Sequence, residues 1–220
     1  MRIYRKQSEL NGLKPAAIAL GNFDGVHKGH QRLIGACIES ARSSGLAAAV
    51  FTFSNHPSNV IAGKTVIKNI ITFEEKANIL EKMGIECLYS FEFDQAIRMS
   101  SPDTFCRHLL FDTLKMKEAF CGFNYHFGYK AQGDPEILKQ IGLELGYGVS
   151  VLSPVEIDGE VVSSTLIRKA VDAGDLERYR SFTGRRYAMY GHVIEGRRFG
   201  RTLGFPTINL ALDPSMVLPP

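Results

Sequence analysis

The sequence predicts an α/β fold: a Rossmann-like parallel sheet followed by a short β-rich segment. Three observations predict it. Strand-like and helix-like stretches alternate from Ala16 to Leu152, as repeated βαβ units do. Glycines stand where the helices should close. After Tyr179 the texture changes to extended sequence rich in glycine and arginine.

The elements follow in order. Ala16–Leu20 reads as a buried strand. Leu33, Ile34, Cys37, Ile38 and Ala41 form one helical stripe, closed by Gly45. Leu46–Phe53 is the next strand. Phe73, Ala77, Leu80 and Met83 share a helix face that ends at Gly84, and Cys87–Phe91 is the third strand. Ser101-Pro102 is a cap followed by proline at the first helical position, and Phe105, Cys106, Leu109 and Leu110 form that helix's inner face. Glu118–Gly122 is a strand, Pro135–Leu145 a helix, and Val149–Leu152 a strand. Sheets of this kind bind ligands at the carboxyl ends of their strands. Further on, Arg186–Glu195 and Phe205–Leu212 read as strands flanking the loop Gly196–Gly204. About 35 residues of such a β-rich region is too little for an independent core, so a truncated second domain is expected.

The chain has 220 residues, with 45% hydrophobic and 22% charged, a globular make-up. A net charge of +3 gives no reason to expect a nucleic-acid partner. Nine basic residues against four acids fall between Arg168 and Arg201, which suits phosphate groups or a solvated face. Cys37, Cys87, Cys106 and Cys121 have neither metal-ligand nor redox spacing, so buried free thiols are expected. No apolar run approaches the roughly 20 residues of a membrane span, and the N-terminus lacks a signal peptide's apolar core. No membrane partner and a cytoplasmic location are therefore expected.

The most informative stretch is Gly21-Asn22-Phe23-Asp24-Gly25-Val26-His27-Lys28-Gly29-His30, at the first strand-to-helix junction. A helix start presents free backbone N–H groups and the positive end of the dipole to an anion. Glycines allow close approach, and two histidines add donors for charge developing on a phosphate oxygen. This is the chemistry of nucleotidyl transfer.

Four further stretches accompany it. In Val162–Arg168 the serines and threonine read as a helix cap, and Ser164, Thr165 and Arg168 share the face opposite Ile167, Ala170 and Val171. Two hydroxyls and a guanidinium there suit a triphosphate. Gly122–Gly128 follows a strand and offers the amide of Asn124 beside aromatic faces for a planar ring. Thr52–Pro57 places His56 on the same rim as His27. In Gly196–Leu210, Thr207 and Asn209 supply hard oxygens that could hold Mg²⁺.

With all five in place, the chain resembles the bacterial bifunctional riboflavin kinase/FAD synthetase family over nearly its whole length. The resemblance implies a Rossmann-like nucleotidyltransferase domain over residues 1–182 and an incomplete riboflavin kinase-like β-barrel segment over 183–220. It implies joining of FMN and ATP to give FAD and pyrophosphate in the first domain. It implies phosphorylation of riboflavin in the second, an activity not expected of this chain by itself. The catalytic groups would be His27, His30, Asn124 and Arg168. Gly21, Phe23, Asp24, Gly29, His56, Ser164 and Thr165 would bind the nucleotide, and Asn124, Tyr125 and Phe127 the flavin. Thr207 and Asn209 would belong to the kinase's Mg-nucleotide site. Mg²⁺ would travel with ATP rather than sit in a dedicated protein site. Ser54-Asn55 and Phe123 depart from the acidic or polar residues this family would have there. Two rival readings remain: a cytidylyl- or adenylyltransferase for another phosphorylated acceptor, and a non-catalytic flavin-nucleotide binder.

Overall fold

The computed structural model describes residues 1–195, 205 and 208–220. Its strands are β1 (Arg2–Tyr4), β2 (Ala16–Leu20), β3 (Ala47–Phe53), β4 (Cys87–Phe91), β5 (Met116–Gly122) and β6 (Gly148–Leu152). They form one sheet, in the order β1-β4-β3-β2-β5-β6, with every pairing parallel. Five of the six are the strands that the alternation predicts. The sixth, β1, is three residues long and has no readable period; its pairing with Cys87–Tyr89 is what makes it a strand.

The chain runs outward from β2 to β3 and β4, then crosses back to β5 and β6. Adjacent strands whose connections leave in opposite directions open a crevice at their carboxyl ends. Here those strands are β2 and β5, so Gly21 and Gly122 stand at the crevice.

The helices are α1 (Lys28–Ser44), α2 (Pro57–Ala62), α3 (Phe73–Met83), α4 (Gln95–Met99), α5 (Pro102–Thr104), α6 (Pro135–Leu145), α7 (Ser164–Asp172) and α8 (Leu176–Thr183). They cover both faces of the sheet. Ala17, Ala19, Val50 and Leu88 pack on one side against Ile34 of α1, Leu80 of α3, Ile167 of α7 and Phe182 of α8. Ala16, Ile18, Phe51 and Tyr89 pack on the other against Leu110 and Leu138. Alternation along buried strands thus feeds two cores. After α5 the chain winds as a π-helix over Phe105–Thr113, where the sequence predicts an ordinary helix.

The C-terminal part departs further from expectation. Among the described residues there, Gly191–Ile194 (β9) and Asn209–Leu212 (β10) are strands, paired antiparallel; earlier in the chain β7 (Glu156–Ile157) and β8 (Glu160–Val161) form a short hairpin. The predicted strand from Arg186 is lost at its start because Tyr187 is drawn into tertiary contact. Its ring meets Tyr179 edge-on at 5.0 Å, and its hydroxyl donates to the Val217 carbonyl. After β10 the chain returns to the body. Asn69 N–H donates to the Ser215 carbonyl (2.8 Å), Val217 N–H donates to the Asn69 carbonyl (2.9 Å), and Met216 and Val217 are buried.

Candidate active site

The turn after β2 is strained and tightly held. Phe23, Gly25 and Val26 have φ of +50°, +80° and +35°. Positive φ is uncommon for Phe and a genuine outlier for a β-branched Val, so surrounding bonds must hold the turn. Asp24 supplies most of them. Its buried carboxylate accepts the Ile70 N–H at 3.0 and 3.2 Å and an N–H from Nη2 of Arg168 at 2.5 Å. The Asp24 carbonyl accepts from Ser164 Oγ at 2.9 Å. One side chain therefore ties the turn to the start of α3's approach and to α7.

The turn delivers His27 as the N-cap of α1. Its Nδ1 accepts the His30 N–H at 3.2 Å, so a neutral ring carries its proton on Nε2. The two imidazoles stack with centroids 3.6 Å apart. Gly29 makes this possible, because a Cβ there would lie 3.1 Å from the His27 ring. Burial, and then the Arg185 charge, lowers the pKa of His27 to about 4. Burial, followed by the charges of His27 and Lys76, holds His30 well below the usual histidine value. Both rings are therefore neutral at pH 7. The Nδ1 of His30 is buried without a hydrogen-bond partner, an open polar position where a ligand group could bind.

A cavity of about 870 Å³ opens at the carboxyl ends of the strands. That is toward the upper end of small-molecule sites, roughly 300–1,000 Å³. Gly21, Phe23, His30, Asn124, Tyr125, Phe127 and Ser164, all expected site residues, line it. Tyr125 stacks on Phe127 at 5.5 Å, and Phe127 leans on Phe105 at 5.5 Å, so the loop Gly122–Gly128 continues an aromatic wall. Asn124 is exposed at its lip.

Other expected residues stand back from the lining. His27, Asp24 and Gly29 shape the turn behind it. His56 caps α2, its Nδ1 accepting the Ser58 N–H at 3.2 Å, and burial followed by the Arg168 charge lowers its pKa. Thr165 is exposed in the first turn of α7. The sequence offers Arg168 as a guanidinium beside two hydroxyls; the structure engages it with Asp24 and, through Nε, with the Lys68 carbonyl at 2.8 Å. Asn209 is exposed on β10 and does not line the cavity, and Thr207 lies outside the described residues.

Sequence reasoning missed part of the cavity. Phe53, Phe93, Ile61, Arg98 and Lys130 line it, and Lys76 donates from Nζ to the Asn22 carbonyl at 2.9 Å. The aromatics read locally as core. Phe53 at the carboxyl end of β3 and Phe93 just past that of β4 were the available signal.

Residues 10–166 match the FAD synthetase family and residues 183–220 match the riboflavin kinase family. The chain belongs to the FAD synthetase family. The first match covers the turn, both histidines, the aromatic loop, Ser164 and Thr165; Arg168 falls just beyond it. Among curated relatives, the bifunctional riboflavin kinase/FMN adenylyltransferase of Bacillus subtilis is 35% identical over 93% of this chain and 65% of its own length. The Listeria monocytogenes protein of the same name is 34% identical over 92% of this chain and 64% of its own length. The chain thus spans about 65% of the length of these relatives. A crystal structure described as a macrolide-efflux protein from Streptococcus pneumoniae superposes with a TM-score of 0.87 at 29% identity, covering 99% of this chain and 70% of that one.

Among the described residues, no helix is long and apolar enough to cross a membrane, and no three His, Cys, Asp or Glu side chains cluster as a metal site. All four cysteines are free thiols.

Proposed function

We propose that this chain transfers AMP from ATP to FMN, releasing pyrophosphate and forming FAD. The observation that carries the reading is the junction of two surfaces in one cavity. Aromatic walls built on Tyr125, Phe127 and Phe105 suit a planar flavin, and the His30 turn at the carboxyl end of β2 suits phosphates. A phosphate oxygen of FMN attacks the α-phosphorus of ATP, and the bond to the β-phosphate bridging oxygen breaks. The nucleophile is already anionic, so no covalent enzyme intermediate is needed. The protein's work is positioning and charge stabilisation. Neutral His27 and His30 act as hydrogen-bond donors rather than as fixed cations. Asn124 orients the FMN phosphate. Ser164, Thr165 and Arg168 form the pyrophosphate end, with Asp24 holding Arg168 in place until phosphate arrives.

Mg²⁺ belongs to this reading as a companion of ATP that neutralises phosphate charge. Asp24, the site's buried carboxylate, is already engaged with Arg168 and Ile70 N–H, which suits a metal carried in by the nucleotide. We assign residues 1–182 to adenylyl transfer and 183–220 to part of a riboflavin kinase-family domain, with Thr207 and Asn209 in its Mg-nucleotide site. Four free thiols suit a reducing compartment, and we place the reaction in the cytoplasm.

The test is incubation with FMN, ATP and Mg²⁺, following FAD by chromatography, beside a tube holding riboflavin in place of FMN. FAD in the first tube is expected. His30→Ala should lower turnover about 10²–10³-fold, as loss of a transition-state donor does, with FMN affinity nearly unchanged. Failure of the unaltered protein to form FAD, with ATP binding intact, would overturn the reading; equal loss of turnover and FMN binding in His30→Ala would overturn the role of that residue.

A further inference from the structure

The histidine turn is braced by a side chain that lies far along the sequence. Arg185 follows Gly184, the left-handed cap of α8, and falls within the riboflavin kinase match rather than the FAD synthetase match. Its Nη2 donates to the Gly25 carbonyl at 2.6 Å, and its Nη1 donates to the carbonyls of Val26 at 3.1 Å and Thr183 at 3.2 Å. Gln31 of α1 doubles the link, its Nε2 donating to the same Val26 and Thr183 carbonyls, each at 2.8 Å. Gly25 and Val26 are two of the three positive-φ residues of the turn, and His27 comes next.

We propose that Arg185 is a positioning residue for adenylyl transfer, clamping the Gly25 and Val26 carbonyls so that the His27–His30 pair is held in its stacked geometry. The proposal rests on the adenylyl-transfer reading and extends it past the residue 182 boundary. A planar guanidinium can grip two adjacent carbonyls with one fork, which an ammonium cannot do. One of the carbonyls it holds belongs to Val26, a strained residue whose backbone could relax if the bond were released. Its positive charge also lies close enough to His27 to help keep that ring neutral. The consequence is that the kinase-family segment reaches into the nucleotidyl site and helps shape it.

The experiment compares Arg185→Lys, Arg185→Gln and Arg185→Ala in the full chain. The kcat for FAD formation should fall by about 10- to 100-fold in Arg185→Lys and Arg185→Gln, the scale of a small misplacement of reacting groups, while KM for FMN stays within about twofold. Added guanidinium ion should restore much of the turnover of Arg185→Ala, which a purely structural loss would not allow. A second readout is independent of chemistry. Hydrogen exchange of the unliganded protein should rise at least about tenfold at the amides of residues 26–30 in Arg185→Gln, while β5 amides keep their protection. Unchanged kcat in Arg185→Gln, with the unaltered protein active, would overturn the proposal. So would unchanged exchange at residues 26–30, or an equal rise at β5. If the unaltered protein makes no FAD, the adenylyl reading fails by itself and exchange alone decides whether Arg185 braces the turn.

Discussion

The turn Gly21–His27 and the hairpin β9–β10 start from similar material, glycines beside apolar residues, and end in opposite states. Phe23 and Val26 of the turn are fully buried, whereas Val193 is 73% exposed, and Ile208 and Leu210 are exposed with it. The turn's backbone is strained, yet it is bonded to distant parts of the chain: Ile70, Ser164, Arg168 and Arg185. Among the described residues, the hairpin is joined by a four-pair antiparallel ladder. An isolated two-stranded hairpin is marginal in water. The contrast teaches that long-range polar bonds, rather than local preference, fix the shape of the candidate site.

The sharpest way to break that contrast is to remove the turn's central carboxylate. Asp24→Ala leaves the Arg168 guanidinium without its carboxylate in a half-buried place and removes the acceptor of the Ile70 N–H. Losing one member of a buried pair costs about 3–5 kcal/mol. Urea unfolding should show a loss of that size. A loss below about 1 kcal/mol, the level of an ordinary surface pair, would mean the turn keeps its shape without Asp24.

A smaller effect comes from the histidines and has a definite sign. The folded-state pKa of His27, about 4, lies below its ordinary value of 6.5. Between those values the unfolded chain holds a proton that the folded chain lacks. Stability therefore falls as pH drops from 6.5 towards 4, by up to about 3 kcal/mol from this group. His27→Gln removes the titrating group, so its stability should decline less over the same window. Measuring urea midpoints from pH 7 to pH 4 for both proteins checks this, and parallel acid limbs would count against a buried neutral His27. The lowered pKa of His30 has the same sign and should keep some decline in the variant.

The same contrast explains what could be read in advance. The four inner strands were legible because burial gives apolar runs such as Ala16–Leu20, the edge strand β6 from its place in the alternation, and α1 and α3 from the glycine caps that close them. The candidate site was legible where its residues are contiguous, as at Gly21–His30 and Gly122–Gly128. Two features were hidden in pairings across long sequence distances. The engagement of Arg168 with Asp24 spans 144 residues, and that of Arg185 with Gly25 spans 160. Part of the cavity was hidden for another reason: Phe53 ends β3 and Phe93 lies just past β4, so their aromatic rings read as core with the strands. In the C-terminal part, Tyr187 lies in a strand-like pattern, but its burial against Tyr179 outweighs that preference.

The smallest expected effect tests the other side of the comparison. Val193→Ala removes two methyl groups from a side chain that is mostly in solvent, so little apolar area changes hands on folding. Its cost should lie within about 0.5 kcal/mol, as for surface substitutions generally. The amides of Gly191–Ile194 should exchange at rates set by local fraying rather than by global unfolding, because the ladder can open without disturbing the sheet. Tyr187 and Val217 sit on either side of the hairpin in sequence and are anchored to the body, so protection should recover at both. A cost for Val193→Ala above about 2 kcal/mol, the scale of a truncated core side chain, would reverse the comparison. The hairpin would then be covered in solution, and its burial, like the turn's, would come from parts of the molecule that its local sequence does not name.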